Sequence, residues 1–200
     1  MIVDDHPMLR EGVGAVIGAQ PDMELVGEAS SAEEGVDLFI RLSPDVTLMD
    51  IQMPGMDGVE AIEHIRARAP EARILVLTTY AGDVQALRAL RAGAAGYLLK
   101  SSLRRELIDA IRAVHGGRRA VAPTVAQEIA LHAGTETLSE REIMILRHVA
   151  NGQANKAIAQ ALSISEDTVK SHLKNIYAKL GVDDRAHAVT VARQRGFLAA

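Results

Sequence analysis

Reactive side chains in this sequence stand at the ends of four apolar runs. The first run leads into Asp4 and Asp5, the second into Asp50, the third into Thr78 and the fourth into Lys100. Three carboxylates brought close together repel one another, so a site that holds them favours a divalent cation. An ammonium and a hydroxyl beside them favour an anion. The chemistry expected of these residue types is therefore the joint binding of a cation and an anionic group.

A parallel β-sheet is the element that would bring these run ends together. β-rich runs are expected at 2–4, 23–28, 46–50, 74–78 and 96–99, separated by amphipathic helical segments at 7–19, 32–42, 57–68, 83–92 and 104–115. Alternating strands and helices predict right-handed βαβ crossovers and a parallel sheet covered on both faces. Open sheets of this kind bind ligands at the carboxyl ends of their strands. The predicted fold class is α/β, with five parallel strands in a doubly wound sheet.

Helix-end signals support these segments. Pro7 suits the first turn of a helix, and Asp57 with Glu60 has the spacing of a capping box. Gly93 and Gly116 fall where two helices should end. The first strand is the weak element, because only three residues precede its carboxylates. Either the sheet tolerates so short a strand, or the native chain begins upstream of it.

Composition narrows the class of protein. A chain of 200 residues can form one large or two small domains. An aromatic content of 2% disfavours base-stacking platforms for single-stranded nucleic acid, and the absence of cysteine excludes disulfides and thiolate metal sites. No apolar stretch reaches the roughly 18 residues of a transmembrane helix, and the N-terminus lacks the pattern of a secretion signal. A cytoplasmic protein without membrane partners is expected.

Charge divides the chain into two parts. The formal net charge of −4 combines −7 for residues 1–138 with +3 for residues 139–200. An acidic first part and a mildly basic second part suggest separate tasks, the second on a polyanion. We predict a first domain at 1–118, a linker with a short helix at 119–136, and a small all-α domain at 137–200.

Motifs in the first domain resemble those of one family. The segments VDDHP at 3–7 and LMDIQMPGMDG at 48–58, together with Thr78 and Lys100, resemble a response-regulator receiver domain of two-component signalling. The resemblance implies a flavodoxin-like fold, Mg²⁺ as cofactor and Asp50 as the phosphoacceptor. It implies that the metal is held by Asp5 directly, by Asp4 through water, by Asp50 and by the backbone carbonyl of Gln52. It further implies that the phosphoryl group is bound by Thr78 and Lys100, with Tyr97 as the switch aromatic.

Each of these residues also has a purely structural interpretation. The two carboxylates of the first run could cap a helix, and Asp50 could be a turn residue. Lys100 could extend along the surface, while Thr78 and Tyr97 could serve packing alone. Their joint occurrence at the strand ends favours the receiver interpretation.

The last domain is predicted to contain four helices. Ser139 and Glu142 have the spacing of a capping box that opens the first of them. Helices at 155–162 and 166–180, joined by a three-residue turn, have helix-turn-helix spacing, and a final helix covers 184–195. This arrangement is typical of proteins that place one helix in a DNA groove.

The helix at 166–180 separates an apolar face from a polar one. Its inward face is predicted to consist of Val169, Leu173, Ile176 and Leu180. Its outward face is predicted to carry Lys170, Ser171, Lys174, Asn175 and Tyr177. In the major groove, lysines reach guanine acceptors or phosphates, and a serine can read either partner type. The alternative is a small helical bundle with an ordinary solvated face.

Wider motifs in this domain resemble a second family. The segments LSERE at 138–142, NKAIA at 155–159, TVKSH at 168–172 and KLGV at 179–182 resemble the LuxR-type DNA-binding domain. Together with the receiver motifs they place the chain in the NarL/FixJ family of response regulators. The resemblance implies base contacts by Lys170, Ser171 and Lys174. It implies backbone positioning by Asn155, Lys156 and Thr168.

Partners follow from the two resemblances together. They imply a sensor histidine kinase as phosphoryl donor, self-association into a homodimer after phosphorylation, and double-stranded promoter DNA as the target. Two other functions remain open. One is an aspartyl-phosphate phosphatase or phosphotransferase, although haloacid-dehalogenase-like enzymes carry a second Asp where Gln52 stands. The other is a phosphate sink or protein-binding module whose last helices only mediate assembly.

Overall fold

The computed structural model describes residues 1–79 and 81–198. They form two compact units, one made of Met1–Ala81 and Ala86–Gln127, the other of Gly82–Gln85 and the chain from Glu128 onward. Within the described ranges no helix is both long and apolar enough to cross a membrane.

The first unit contains a six-stranded parallel sheet. Its strands are β1 (Ile2–Val3), β2 (Glu28–Ala29), β3 (Thr47–Asp50), β4 (Ile74–Thr78), β5 (Gly96–Leu99) and β6 (Ala120–Val121). Their order in the sheet is β2-β1-β3-β4-β5-β6. The helices of residues 1–131 are α1 (Pro7–Gly18), α2 (Ala32–Leu42), α3 (Gly58–Arg68), α4 (Asp83–Ala92), α5 (Leu103–His115) and α6 (Pro123–Leu131). The predicted doubly wound α/β fold is confirmed.

Strand β6 lies where the sequence predicted only a linker with a short helix. Ala120 and Val121 pair in parallel with Gly96 and Tyr97 of β5. A strand of only two residues is too short to show the alternation of apolar and polar side chains by which strands are predicted. The strand forms because the outer edge of β5 would otherwise leave its backbone N–H and C=O groups unpaired.

Strand β1 is as short as the sequence indicated. The predicted run at 23–28 is wrong for residues 23–27, because β2 overlaps it only at Glu28. The Ile2 and Val3 side chains are fully buried. The Ile2 N–H donates to the Gly27 carbonyl at 3.0 Å on one side, and the Leu48 N–H donates to the Met1 carbonyl at 2.9 Å on the other. Two residues suffice because both edges of β1 are paired and both of its faces are covered.

Helix α3 begins directly against the end of β3. The Asp57 carboxylate accepts the Glu60 N–H at 2.8 Å, and the Glu60 carboxylate accepts the Asp57 N–H at 3.1 Å, which confirms the predicted capping box. A Cβ on Gly58 would lie 2.0 Å from the Asp50 carbonyl oxygen. Only glycine therefore allows the first turn of α3 to approach Asp50 so closely.

The second unit contains the four predicted helices of the last domain. They are α7 (Glu140–Ala150), α8 (Asn155–Ala161), α9 (Glu166–Leu180) and α10 (Arg185–Arg195). All four residues predicted for the inward face of α9 are buried. Tyr177, predicted for the outward face, is half-buried: it packs against the core of this unit and also lines a surface hollow with Lys170 and Lys174. Burial of the apolar tyrosine ring is favourable, and its hydroxyl can remain in contact with water.

Candidate functional site

Three predicted carboxylates meet at the carboxyl end of the sheet. Strands β1 and β3 are parallel neighbours with Val3 opposite Met49, so the residues at their ends lie side by side. Asp4 is 0% exposed and Asp50 1% exposed, whereas Asp5 is half-buried. One ligand atom from each of these residues and one from His6 lie within 4.8 Å of one another. The sequence prediction had left out the imidazole, although His6 directly follows the paired aspartates.

Lys100 places its ammonium between the two buried carboxylates. Its Nζ lies 2.7 Å from Asp4 Oδ2 and donates a hydrogen bond to Asp50 Oδ2 at 2.6 Å. Burial alone would lower the pKa of Lys100, but its contacts with Asp4 and Asp50 outweigh burial and raise that pKa. The ammonium therefore stays protonated throughout the neutral range and balances part of the carboxylate charge.

Asp50 has an environment with opposing effects. Burial raises its pKa, and the nearby Asp4 charge adds to that rise. The Gln52 N–H, which donates to Asp50 Oδ1 at 3.0 Å, and the Lys100 ammonium act in the opposite direction. The net effect is a raised pKa for Asp50, with burial as its largest cause. Gln52 joins it through its backbone, and the metal-binding role of its carbonyl stays a prediction.

Thr78 and Tyr97 lie on the next two strands. Thr78 ends β4, is fully buried and stands opposite Leu99, the residue before Lys100. Tyr97 is fully buried; burial raises the pKa of its hydroxyl, and a contact with Thr78 opposes that rise. Thr78 therefore lies at a strand end beside the carboxylates, whereas Tyr97 lies within β5 and reaches this region through its contact with Thr78.

The donor set of the cluster fits Mg²⁺. The ion is hard and prefers carboxylate oxygens, three of which converge here. The buried Asp4 Oδ2 is paired with the Lys100 ammonium at 2.7 Å, and the buried Asp5 Oδ1 lies 2.7 Å from His6 Nδ1. Both of these buried oxygen atoms could also bind a metal cation.

We expect Lys100→Met to destabilise the first unit when divalent cations are absent. Removing the ammonium leaves Asp4 and Asp50 buried without their counter-charge, which costs about 3–5 kcal/mol for a buried pair. Added Mg²⁺ should restore part of this loss, since binding to the folded state alone stabilises it. Urea unfolding at neutral pH, with EDTA and with Mg²⁺, measures both effects.

Arg104→Met is the matched control, because it removes one positive charge from an exposed position in the same unit. Its unfolding free energy should change by less than about 0.5 kcal/mol. Equal stability of the Lys100 and Arg104 variants would contradict a charge-balancing role for Lys100.

Helix α9 exposes the residues predicted to read bases. Lys170, Ser171 and Lys174 are all exposed. Lys170 Nζ donates to Asp167 Oδ1 at 3.0 Å, and Ser171 Oγ donates to the Asp167 carbonyl at 3.0 Å. The sequence prediction did not include the Asp167 contacts. Because Asp167 is 90% exposed, its ion pair with Lys170 is weak and gives way easily to another acceptor.

The residues predicted to position the DNA backbone differ in their surroundings. Lys156 is exposed, whereas Asn155 lines one shallow hollow with Lys170 and Lys174. Asn155 Oδ1 accepts a hydrogen bond from Arg185 at 3.2 Å. The structure therefore brings Asn155 close to the predicted base readers.

Thr168 belongs to the start of α9. Its N–H donates to Ser165 Oγ at 3.0 Å, and the two hydroxyl oxygens lie 2.7 Å apart. The N-terminal cap of α9 is thus Ser165 supported by Thr168.

The other end of α9 is joined to α7 by an ion pair. Lys179 Nζ donates to Glu142 Oε2 at 2.9 Å, and the same oxygen accepts the Ser139 N–H at 2.7 Å. Burial tends to raise the pKa of Glu142, but the Ser139 and Lys179 contacts outweigh it and lower that pKa. The predicted capping box of α7 is confirmed, and it also holds the C-terminal turn of α9.

Comparisons with known families match the carboxylate cluster and the α9 surface to two different domain families. Residues 1–112 match the response regulator receiver domain, and residues 136–192 match the luxR family of bacterial regulatory proteins. Transcriptional regulatory protein LiaR of Bacillus subtilis (strain 168) is 43% identical over 202 residues, which cover 97% of this chain and 96% of LiaR.

Two solved structures extend the comparison. Response regulator ChrA of a heme-sensing two-component system is 41% identical, covers 99% of this chain and 97% of its own, and superposes with a TM-score of 0.58. RcsB of Salmonella enterica serovar Typhimurium, bound to promoter P1flhDC in the presence of the phosphomimetic BeF3-, is 27% identical with a TM-score of 0.73 and covers 96% of each chain. The chain therefore belongs to the two-component response regulators that join a receiver domain to a LuxR-type DNA-binding domain and act as transcriptional regulatory proteins.

Proposed function

We propose that Asp50 accepts a phosphoryl group and that this modification controls DNA binding. The observation that carries the proposal is the buried Asp50 carboxylate, hydrogen-bonded to Lys100 at 2.6 Å and grouped with Asp4 and Asp5. In the transfer, one Asp50 oxygen attacks phosphorus, the bond from phosphorus to its donor breaks, and an acyl phosphate forms. The donor is a phosphohistidine of a sensor kinase or a small acyl phosphate.

Charge is the main obstacle to this reaction. An anionic donor must approach three carboxylates, of which two are buried. Mg²⁺ held by Asp4, Asp5, Asp50 and the Gln52 carbonyl would supply charge neutralisation and orientation for in-line transfer. Lys100, which already contacts Asp4 and Asp50, binds a phosphoryl oxygen after the group has been transferred to Asp50. We assign the Thr78 hydroxyl to a second phosphoryl oxygen.

The signal leaves the site through the β4 and β5 strand ends. A phosphoryl group adds about −1.5 to −2 charges, by analogy with other phosphorylated side chains. Thr78 and Lys100 move toward that charge. The buried Tyr97, which contacts Thr78, then reorients. Converting almost all molecules from the inactive to the active conformation requires that the active one be stabilised by about 5.5 kcal/mol relative to the inactive one. We propose that self-association of the modified protein contributes to it.

The output is binding to double-stranded promoter DNA. The exposed α9 residues Lys170, Ser171 and Lys174 approach base edges in the major groove. We assign Asn155 and Lys156 to contacts with the phosphate backbone, together with Thr168 at the start of α9. RcsB, with promoter DNA and a phosphomimetic in one complex, supports this pairing of input and output. A homodimer on paired half-sites is the proposed bound form.

An enzymatic role is not proposed. Phosphatases and phosphotransferases of the haloacid-dehalogenase type use a second Asp two residues after the nucleophile, and Gln52 stands at that position. The catalysis assigned to this chain is limited to accepting and slowly losing the phosphoryl group. We place the protein in the cytoplasm, where histidine-kinase transmitter domains supply that group.

Phosphorylation should raise the affinity for DNA. With duplexes selected from a random pool, acetyl phosphate and Mg²⁺ should tighten binding about tenfold, within the usual range for coupled sites. Light scattering should show a shift from monomer to dimer under the same conditions. Fluorescence anisotropy with labelled duplex measures the affinity, and scrambled duplex is the control. Equal affinity before and after full phosphorylation would contradict the proposed control.

A further inference from the structure

Arg185, the first residue of α10, connects that helix to the start of α8. Its Nη1 donates a hydrogen bond to Asn155 Oδ1 at 3.2 Å, and its Nη2 donates to the Gln153 carbonyl. All three residues are half-buried. One guanidinium therefore holds both the backbone just before α8 and the side chain of the first residue of that helix.

The contact with Arg185 determines which way the Asn155 amide faces. A guanidinium has donors and no acceptor, so the amide atom that faces it must be the oxygen. The opposite orientation would set N–H groups against N–H groups and leave both residues without an acceptor. Asn155 Nδ2 consequently faces away from Arg185. Among the residues that the structure describes, none accepts a hydrogen bond from this nitrogen.

The free end of the amide belongs to the hollow that contains the proposed base readers. Asn155, Lys170, Lys174 and Asp183 are the polar and charged residues named above or beside them on its wall, together with Tyr177. Arg185 is not among the lining residues, so the amide atom presented to the hollow is Nδ2. Two ammonium groups against one carboxylate leave the lining net positive. An N–H donor in such a place suits a phosphate oxygen.

We infer that Arg185 is a positioning residue for DNA binding, which orients the Asn155 amide so that Nδ2 donates to a phosphate oxygen. Arg185 acts through Asn155 and not on the DNA, because both of its terminal nitrogens are already bonded to Asn155 and Gln153. An amide oriented in advance has less rotamer freedom to lose on binding. The inference rests on the proposed function, in which Asn155 contacts the DNA backbone.

A double-mutant cycle on the full-length chain separates positioning from direct contact. Anisotropy with a selected duplex gives the affinities of Asn155→Ala, Arg185→Met and the double variant. Each single substitution should weaken binding about tenfold, as expected for one hydrogen bond to a charged group. The double variant should be weaker than either by no more than about twofold, because the two residues act as one unit. The salt dependence of Arg185→Met should match that of the unaltered chain, since no phosphate loses a cationic partner.

Nuclear magnetic resonance of the side-chain amide tests the orientation itself. In ¹⁵N-labelled protein, the Asn155 Nδ2 signal is identified by its absence from Asn155→Ala. Added duplex should shift one of its two proton resonances downfield in the unaltered chain but not in Arg185→Met. Equal shifts in both proteins overturn the inference.

Asn155→Asp keeps the inference testable if Arg185→Met fails to fold. Its carboxylate can still pair with Arg185 but offers the phosphate a negative oxygen in place of an N–H, so its affinity should fall below that of Asn155→Ala. Affinity equal to that of the unaltered chain overturns the inference.

Arg193→Met is the matched control, because it makes the same substitution at an exposed position of α10 and should bind DNA almost normally. A loss of about a hundredfold in the double variant, with a shallower salt dependence in Arg185→Met, means that Arg185 binds DNA itself and removes its positioning role alone. Unchanged affinity in Asn155→Ala also removes Asn155 from the backbone contacts of the proposed function.

Discussion

The Asp50→Asn variant is expected to incorporate no phosphoryl group from acetyl phosphate, while the unaltered chain is labelled to completion. An amide lacks the anionic oxygen that attacks phosphorus, and in the unaltered chain that oxygen belongs to the buried carboxylate that Lys100 contacts at 2.6 Å. Asparagine has nearly the same shape, and Lys100 keeps Asp4 as its partner at 2.7 Å. Loss of label therefore reports chemistry rather than unfolding. Intact-protein mass spectrometry with Mg²⁺ present measures the stoichiometry.

Asp45→Asn provides the matched control. Asp45 is exposed and lies near the opposite end of β3, so this substitution makes the same charge change far from the cluster. It should leave labelling complete. Full labelling of Asp50→Asn would exclude Asp50 as the phosphoacceptor and direct attention to other nucleophiles.

Replacing both Lys170 and Lys174 by alanine should abolish specific DNA binding at physiological salt. Each lysine that reaches a base edge contributes about 1–3 kcal/mol of discrimination, so the double variant should lose about 2–6 kcal/mol. The dependence of log affinity on log salt should also become shallower, by about one for each lysine that neutralises a phosphate. Anisotropy titrations of a selected duplex at several salt concentrations measure both quantities.

Arg193→Ala is a suitable control for the lysine pair. It removes an exposed positive charge from α10 instead of α9. Its affinity and salt dependence should stay close to those of the unaltered chain. Unchanged DNA binding by the double lysine variant would show that α9 does not enter the groove. That result would favour the alternative in which the last helices mediate assembly.

Much of the fold was predictable because its helix ends carry local signals. Asp57 with Glu60 and Ser139 with Glu142 form capping boxes in the structure, and the helices start where those pairs predicted. Such signals depend on residues three apart in the chain, so the sequence displays them directly. The apolar face of α9 was predictable for the same reason.

Other features depend on contacts that no local pattern encodes. Strand β6 exists because β5 has a free edge, and Ala120–Val121 shows no alternation that would reveal it. Tyr177 is half-buried because it packs against a core formed by several helices. The contact between Asp167 and Lys170 needs particular side-chain rotamers, which helical spacing permits but does not determine. The domain boundaries at 118 and 136 stay predictions.

The candidate sites divide in the same way. Asp50, Thr78 and Lys100 could be predicted to converge because strand ends share one edge of a parallel sheet. The ring position of His6 could not, since it depends on the angle at which α1 leaves β1. The close approach of Gly58 to the Asp50 carbonyl is likewise a property of the folded backbone.

Helix α9 is held at both of its ends, by Ser165 at the N-terminus and by Lys179 on Glu142 near the C-terminus. The three proposed base-reading residues lie between these two fixed points. The conformational entropy lost in orienting that backbone is therefore lost when the domain folds, not when it meets DNA. Such preorganisation leaves only the side-chain rotamers to be ordered in the groove, so more of the contact energy is available for discriminating between sequences.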